Sequence, residues 1–366
     1  MKLSCTQENL NRGISLVSHI AGKETGLPIL SHILITAENN TITLSATNLE
    51  IGIRCKIRGK VEEDGMVALD AKVINDYISL LPKDKIELEV DKQGGVSVTC
   101  AGYKTKMRSA NNDDFPIIPT IEDGEKIICD ATSLKKAVTS TIFAASDSRP
   151  ELKGIFIQVE GKKMRLAATD AYRLAEQSID LANEAKKTSF IAPLKTTQEV
   201  ARILQDSTSQ DIELSWQDQQ IQFSNDEVTL VSRTVDEQYP DYNQIIPSNT
   251  TTQLTLTRTD LIKAVKATSI FAQKSLQDVT LDCQPQDNKI FISSANTTVG
   301  ESTVDLNASG TGSAVKVVLN HRYLAEGLNQ IGQDEVELSI VDADSPCIFR
   351  GKGDKDYLYL VMPIQQ

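Results

Sequence analysis

The chain has 366 residues, 40% hydrophobic and 24% charged, with a formal net charge of −12. That length accommodates two to four globular domains, and no run of about 18 apolar residues offers a membrane-spanning helix. The acidic balance lacks the basic footprint usual for nucleic-acid binding, although whole-chain charge does not fix the polarity of any one face.

The first predicted helix covers about 6–21, with Leu10, Gly13, Ile14, Val17 and Ala21 on one face. Strands are expected at about 29–37 and 41–54, joined at Glu38-Asn39-Asn40. A second helix, 71–81, carries Val73, Ile74, Tyr77, Ile78 and Leu81 on one face and stops at Pro82. Strands follow at 85–91, 95–101 and 103–109, before the proline-rich close at 114–119.

The order then repeats. A helix at 131–145 places Leu134, Ala137, Val138, Thr141 and Ala145 on one face, with Asp130, Thr132 and Ser133 as candidate N-caps. A strand at 154–160, a hairpin at Gly161-Lys162 and a strand from Met164 come next. A helix is expected at about 194–204 and strands at 211–216, 220–223 and 227–233. The third pass has helices at about 258–273 and 320–331. Its strands are expected at 277–284, 289–294, 335–341, 346–350 and 356–362.

Specific residues align across the three passes. Ile42-Thr-Leu-Ser-Ala-Thr-Asn48 matches Met164 to Asp170 and Ile290 to Asn296; Lys85 to Leu88 matches Asp211 to Leu214 and Glu335 to Leu338. The first-helix leucines, Leu10, Leu134 and Leu261, recur at about 125 residues, far beyond the roughly 20–50 of solenoid repeats. The expected fold class is therefore α+β, in three repeated domains of two helices packed on antiparallel sheets. Their expected bounds are 1–120, 121–248 and 249–366.

Each predicted helix keeps a cation off its apolar stripe. Arg12, Lys136 and Lys263 form one aligned column, with Lys266 beside it, and Lys72, Lys195 and Arg322 form another. A single such lysine reads as a solvated helix face. Six matched copies suggest a positive lining that holds duplex DNA through phosphates, without sequence readout.

Catalytic signatures are missing. There is no GxxxxGK[ST], no GxGxxG after a strand and no GxSxG. Asp170 aligns with Asn48 and Asn296 and reads as a turn residue, not a general base. Cys5, Cys55, Cys100, Cys129, Cys283 and Cys347 form no CxxC pair and are expected as buried reduced thiols. His19, His32 and His321 are unclustered, so no metal or other cofactor is expected. The N-terminus turns polar at once and does not read as a signal peptide, which makes the cytoplasm the default location.

Several stretches closely resemble the bacterial sliding clamps, the beta subunits of the replicative DNA polymerase III. They are Leu27-Pro28-Ile29-Leu30, Thr47-Asn48-Leu49-Glu50, Ala168-Thr169-Asp170-Ala171-Tyr172-Arg173-Leu174-Ala175, Tyr239-Pro240-Asp241-Tyr242 and Val361-Met362-Pro363-Ile364. The resemblance covers the whole chain. It implies a non-enzymatic processivity factor: a head-to-tail homodimeric ring around double-stranded DNA, without sequence specificity. The implied partners are the replicative polymerase alpha subunit, the clamp loader, repair polymerases and other proteins with a clamp-binding motif. It adds Lys23 and Arg149 to the DNA-facing set. It places a partner-peptide pocket at Leu152, Thr169, Ala171, Tyr172, Arg173, Leu174, Pro240, Gln244, Ile245, Pro346, Leu360, Val361, Met362, Pro363 and Ile364. Ala171 and Tyr172 stand where the family often has Gly and His, and Gln244 where it is often basic.

Ile270 and Phe271, an apolar pair at the end of a polar-faced helix, read as an interface candidate. The resemblance pairs that end with the first domain near Thr105 and Met107. The rival from another class is a protein-interaction scaffold with no DNA role, its helical cations merely solvated.

Overall fold

The computed structural model describes residues 1–366 apart from 23–25, 147, 206, 208 and 366. Along the first repeat run β1 (Lys2–Thr6), α1 (Gln7–Ser18), β2 (His32–Glu38), β3 (Thr41–Thr47), β4 (Ile51–Ile57), β5 (Lys60–Glu63), β6 (Gly65–Asp70), α2 (Ala71–Leu80), β7 (Lys85–Val90), β8 (Gly95–Cys100) and β9 (Tyr103–Arg108). The second has β10 (Glu125–Asp130), α3 (Ala131–Ile142), β11 (Gly154–Thr169), β12 (Arg173–Pro193), α4 (Leu194–Gln205), β13 (Asp211–Gln217), β14 (Gln220–Ser224) and β15 (Val228–Arg233). The third has β16 (Thr252–Thr257), α5 (Arg258–Ser269), β17 (Asp278–Gln284), β18 (Lys289–Asn296), β19 (Gly300–Asn307), β20 (Ser309–Gly312), β21 (Val315–Asn320), α6 (His321–Gln330), β22 (Glu335–Ile340), β23 (Cys347–Gly351) and β24 (Tyr357–Val361).

Each of these helices starts on the residue after a strand ends. The last strand residue can then serve as the cap: Thr6 accepts from the Asn9 N–H, Asp70 from Val73, and Asn320 from Arg322 and Tyr323. The strand thus fixes where the helix begins and which face it turns inward. On α1 that face is Leu10, Gly13, Ile14 and Val17, all buried. Burying each aliphatic side chain is worth about 2 kcal/mol. A Cβ at Gly13 would stand 2.6 Å from both Leu44 and Ile57, so its absence lets α1 lie close on β3 and β4.

Contacts divide the chain into two units, neither of which coincides with a repeat. The first comprises Met1–Ala131 and Arg202–Thr234. It holds two sheets, in orders β5-β1-β7-β8-β9 and β10-β13-β14-β15-β4-β3-β2-β6. The longer one crosses from one repeat to the next where β15 pairs antiparallel with β4, Leu230 opposite Ile53 and Ser232 opposite Ile51.

The second unit comprises Thr132–Ala201 and Val235–Gln366, with sheets β11-β12-β24-β23-β22-β16-β20 and β19-β18-β17-β21. Here the crossing pair is β12 with β24, Arg173 opposite Val361 and Ala175 opposite Tyr359.

Several expectations need correction. The run 41–54 is two strands, because Leu49 takes a left-handed φ of 73° and the chain turns after Thr47. The helices expected to 145 and 273 stop at Ile142 and Ser269. Val73 does not join the packed face of α2: it is 53% exposed, and Leu80 is 80% exposed. No hairpin forms at Gly161-Lys162: β11 runs through it from Gly154 to Thr169, with only register shifts against β12 on either side of Gly161, whose φ is 60°, and the chain reverses at the Asp170 turn instead. Strands β1, β5, β6, β10, β12, β16 and β19 to β21 were not foreseen.

In the second unit α6 packs on β24 through Gly327, where a Cβ would overlap the ring of Tyr359. That ring is fully buried and its hydroxyl donates to the Tyr323 carbonyl at 2.7 Å. Gly327→Ala is expected to destabilise by about 2–3 kcal/mol through overpacking, read as a lower urea midpoint at unchanged slope.

Candidate functional site

Every described helix cation of the two columns is solvent-exposed. In the first unit these are Arg12 and Lys72; in the second they are Lys136, Lys195, Lys263, Lys266 and Arg322. Arg12 is less free than the sequence suggests, because its guanidinium donates to Glu227 at 2.7 Å. The others make no ion pair among the described residues. Arg149 is exposed just ahead of the 3₁₀ turn Pro150–Leu152. Lys23 and Glu24 lie outside the described residues.

The second unit also gathers all the expected pocket residues. Leu152, Leu174 and Leu360 are buried in one apolar cluster with Ala167, Ile191, Tyr239, Tyr242, Ile348 and Leu358. Met362, Phe156, Val235 and Ile246 pack against it, half-buried. Above this floor, Tyr172 and Ile245 remain exposed. The chain's end is held across it: the Met362 N–H donates to the Tyr172 carbonyl at 2.8 Å and the Ile364 N–H to the Val318 carbonyl at 2.8 Å. Cys347 pairs opposite Val361 and so sets Pro346 beside the same segment. Gln244 lies on the 3₁₀ turn Tyr242–Ile245, and the Tyr242 hydroxyl donates to Glu176 at 2.6 Å.

Residues 169–173, five of those expected to line the pocket or adjoin it, form a tight turn. The Asp170 side chain accepts from the N–H groups of Tyr172 and Arg173, both at 3.0 Å. The Thr169 hydroxyl donates to the Arg173 carbonyl at 2.6 Å. Asn48 and Thr47 make the same turn in the first unit. Asp170 is thus a turn-forming residue, as expected, and it has a second role. Its other oxygen accepts from Arg173 Nε at 3.0 Å.

Arg173 is the centre of the site although only 9% exposed. Its remaining nitrogens donate to Glu326 and, at 2.9 Å, to the Phe143 carbonyl. The guanidinium lies 5.2 Å from the centroid of Phe143 and 4.4 Å from that of Tyr323, and Tyr323 stacks on Tyr172 at 6.5 Å. Burial pulls its pKa down, but the hydrogen bond to Glu326 and the charges of Tyr359 and Asp170 raise it further, so it stays charged. Phe143, Tyr323, Glu326 and Tyr359 were missed in the sequence. The available signal was Arg173 itself, a cation at an inward-facing strand position, which demands partners.

The expected interface residues occupy two sheet edges. Thr105 and Met107 lie half-buried on the edge strand β9. Ile270, at the end of α5, is 71% exposed, and Phe271 lies beside Gly300 at the start of the edge strand β19.

All six thiols are buried and free. Burial pushes Cys5, Cys129 and Cys283 up to about 12, and Cys55 to about 11. Among the described residues no group of three or more His, Cys, Asp or Glu side chains is placed to hold a metal.

Three family models match in succession. They are the N-terminal, central and C-terminal domains of the DNA polymerase III beta subunit, over residues 1–119, 129–241 and 243–365. The beta sliding clamp of Synechococcus elongatus is 29% identical over 100% of this chain and 99% of its own length. That of Staphylococcus epidermidis is 27% identical over 93% of each. Among solved structures, a putative DNA polymerase III beta subunit from Eubacterium rectale superposes with a TM-score of 0.93 at 26% identity, covering 100% of both chains. The DNA polymerase III beta subunit of Thermotoga maritima gives 0.92 at 25% identity, covering 100% of this chain and 99% of that one.

Two variants test the geometry of the 169–173 turn. Ala171 has φ 76°, a left-handed conformation, so Ala171→Gly is expected to stabilise by about 1 kcal/mol in chemical denaturation. Arg173→Met leaves Asp170 and Glu326 without their partner and is expected to destabilise by about 3 kcal/mol.

Proposed function

The chain belongs to the DNA polymerase III beta-subunit family, the beta sliding clamps, and we propose from that premise that two copies close head to tail around duplex DNA. Members of the family are non-catalytic processivity factors. The chain acts here as three clamp domains, 1–120, 121–248 and 249–366, with no reaction of its own.

The observation that carries the head-to-tail closure is a pair of open edges. In the second and third repeats, the last strand of the second half pairs with the strand after the Asn48 or Asp170 turn of the preceding repeat: β15 on β4, β24 on β12. The equivalent strand of the first repeat is β9, an edge; the strand after the equivalent Asn296 turn is β19, also an edge. Laying β9 of one copy on β19 of another completes the pattern. The shared register then sets Met107 opposite Val299 and Thr105 opposite Glu301. Lys104 and Lys106 flank that glutamate. In the same frame Ile270 and Phe271 correspond to Phe143 and Ala144, and Val73 of α2 corresponds to Tyr323 of α6. Phe143 and Tyr323 sit on the same guanidinium in the second unit, so the exposed Val73 is the surface on which Ile270 of the other copy rests. Two unlike surfaces per subunit are what a head-to-tail assembly needs.

Lys72, Lys136, Lys195, Lys263, Lys266 and Arg322 face the DNA, with Arg12 weakened by Glu227 and with Arg149 at the rim. Exposed cations touching phosphate give weak, salt-screened contacts. A ring retained by topology needs no more than that, and weak contact leaves it free to slide. The pocket around Leu174 and Leu360 receives a short peptide from the polymerase alpha subunit, the clamp loader, repair polymerases and other partners. The setting is the cytoplasm.

Loaded protein is expected to stay on nicked circular DNA and run off when the circle is cut. Charge reversal at Lys136, Lys195 and Lys263 together should impair loading. Equal retention on circle and linear form would refute the ring. Ile270→Asp is expected to give monomers in sedimentation; an unchanged dimer would refute the assigned contact.

A further inference from the structure

We propose that the pocket around Leu174 and Leu360 selects a peptide whose apolar core is flanked by cationic residues. The inference rests on the peptide-pocket reading above and adds the charge of the partner.

The pocket's own cation is spent. Arg173 is the one cation among the expected lining residues, and it is buried, bonded to Asp170 and Glu326 and enclosed by Phe143 and Tyr323. Nothing of it remains to answer an acidic ligand. The exposed amide of Gln244 is engaged too, its Nε2 donating to Asp241 at 3.1 Å.

What the rim presents to solvent is carboxylate. Asp241 is exposed at the start of the 3₁₀ turn that carries Gln244 and Ile245. Asp342 and Asp344 are exposed in the turn leading into Pro346. None of the three makes an ion pair among the described residues. Hydrogen bonds from Asn243 and Gln244 hold the Asp241 carboxyl below the ordinary range, and those from Ser345 and Asp344 do the same for Asp342. Both are ionised at neutral pH. Across segments 149–153, 169–177, 235–247, 318–326 and 341–347 the cations are Arg149 and Lys153 on either side of the Leu152 turn, the buried Arg173 and, on the first turn of α6, Arg322. Against these four cations the same segments carry nine carboxylates: Glu151, Asp170, Glu176, Asp236, Glu237, Asp241, Glu326, Asp342 and Asp344.

The physical consequence is a two-part recognition. The buried leucines and tyrosines supply the apolar floor, which is indifferent to charge. The carboxylates act over about 8 Å at physiological salt, the reach of a residue or two on either side of the anchored core. Lysine or arginine there finds partners, whereas aspartate or glutamate meets like charge. Such complementarity selects between partners more than it adds affinity.

Two synthetic fluorescent peptides test this against the full-length protein. They share a Leu-Gly-Leu-Phe core and differ only in flanks of two lysines or two glutamates. The lysine-flanked peptide is expected to bind about tenfold tighter in low salt, with the gap closing as salt rises. Asp241→Asn combined with Asp342→Asn keeps the turn-capping acceptors and should bring the two affinities together. If both peptides bind but the glutamate-flanked one binds equally or more tightly, this inference fails and the pocket stands. If neither binds, the pocket reading itself fails. A preference that persists unchanged in the double variant overturns the assignment to these carboxylates.

Discussion

Backbone pairing between successive repeats is the constraint on which the rest depends. In β15 on β4 and β24 on β12, the donors and acceptors of one repeat are satisfied by the next. Buried backbone groups left unpaired are costly, so a repeat cut at its sequence boundary would expose a raw edge. A slip of one residue would also turn every side chain to the opposite face. The same ladder builds the functional surface. With Val361 held opposite Arg173, the following residues reach the Asp170 turn, where the Met362 N–H finds the Tyr172 carbonyl, and then β21, where the Ile364 N–H finds that of Val318.

Much of this was legible in the sequence, and the limits are physical. Helix positions and the threefold order follow from local periodicity, which needs no partner. The turn at Asp170 could be read because its copies at Asn48 and Asn296 share the chemistry of a short side-chain acceptor. Strand pairing across repeats is non-local, so the two units that divide the repeats could not be foreseen. Val73 shows the same limit from the other side. Its spacing fits the apolar stripe of α2, yet it faces out, and only comparison with Tyr323 in the third repeat gives that exposure a meaning. Phe143, Tyr323 and Glu326 come from different elements, and no spacing announces that they meet around Arg173.

Charge is arranged by face rather than in bulk. A chain at −12 keeps cations at matched positions of its helices while the segments around the pocket are rich in carboxylates. Arg173 shows how a buried charge is tolerated: two carboxylates, a carbonyl and two rings replace the water it has lost. That closure fixes the turn and removes the guanidinium from any role toward a ligand.

The buried thiols have a practical side. A thiol pushed up to about 12 is ionised at neutral pH to only about one part in 10⁵, and it is the thiolate that reacts. With all six thiols buried, the folded protein is expected to react slowly with maleimides without removing any cysteine. A single cysteine placed at an exposed site would carry a dye alone, so fluorescence from such a label would report that site's environment against an almost empty background.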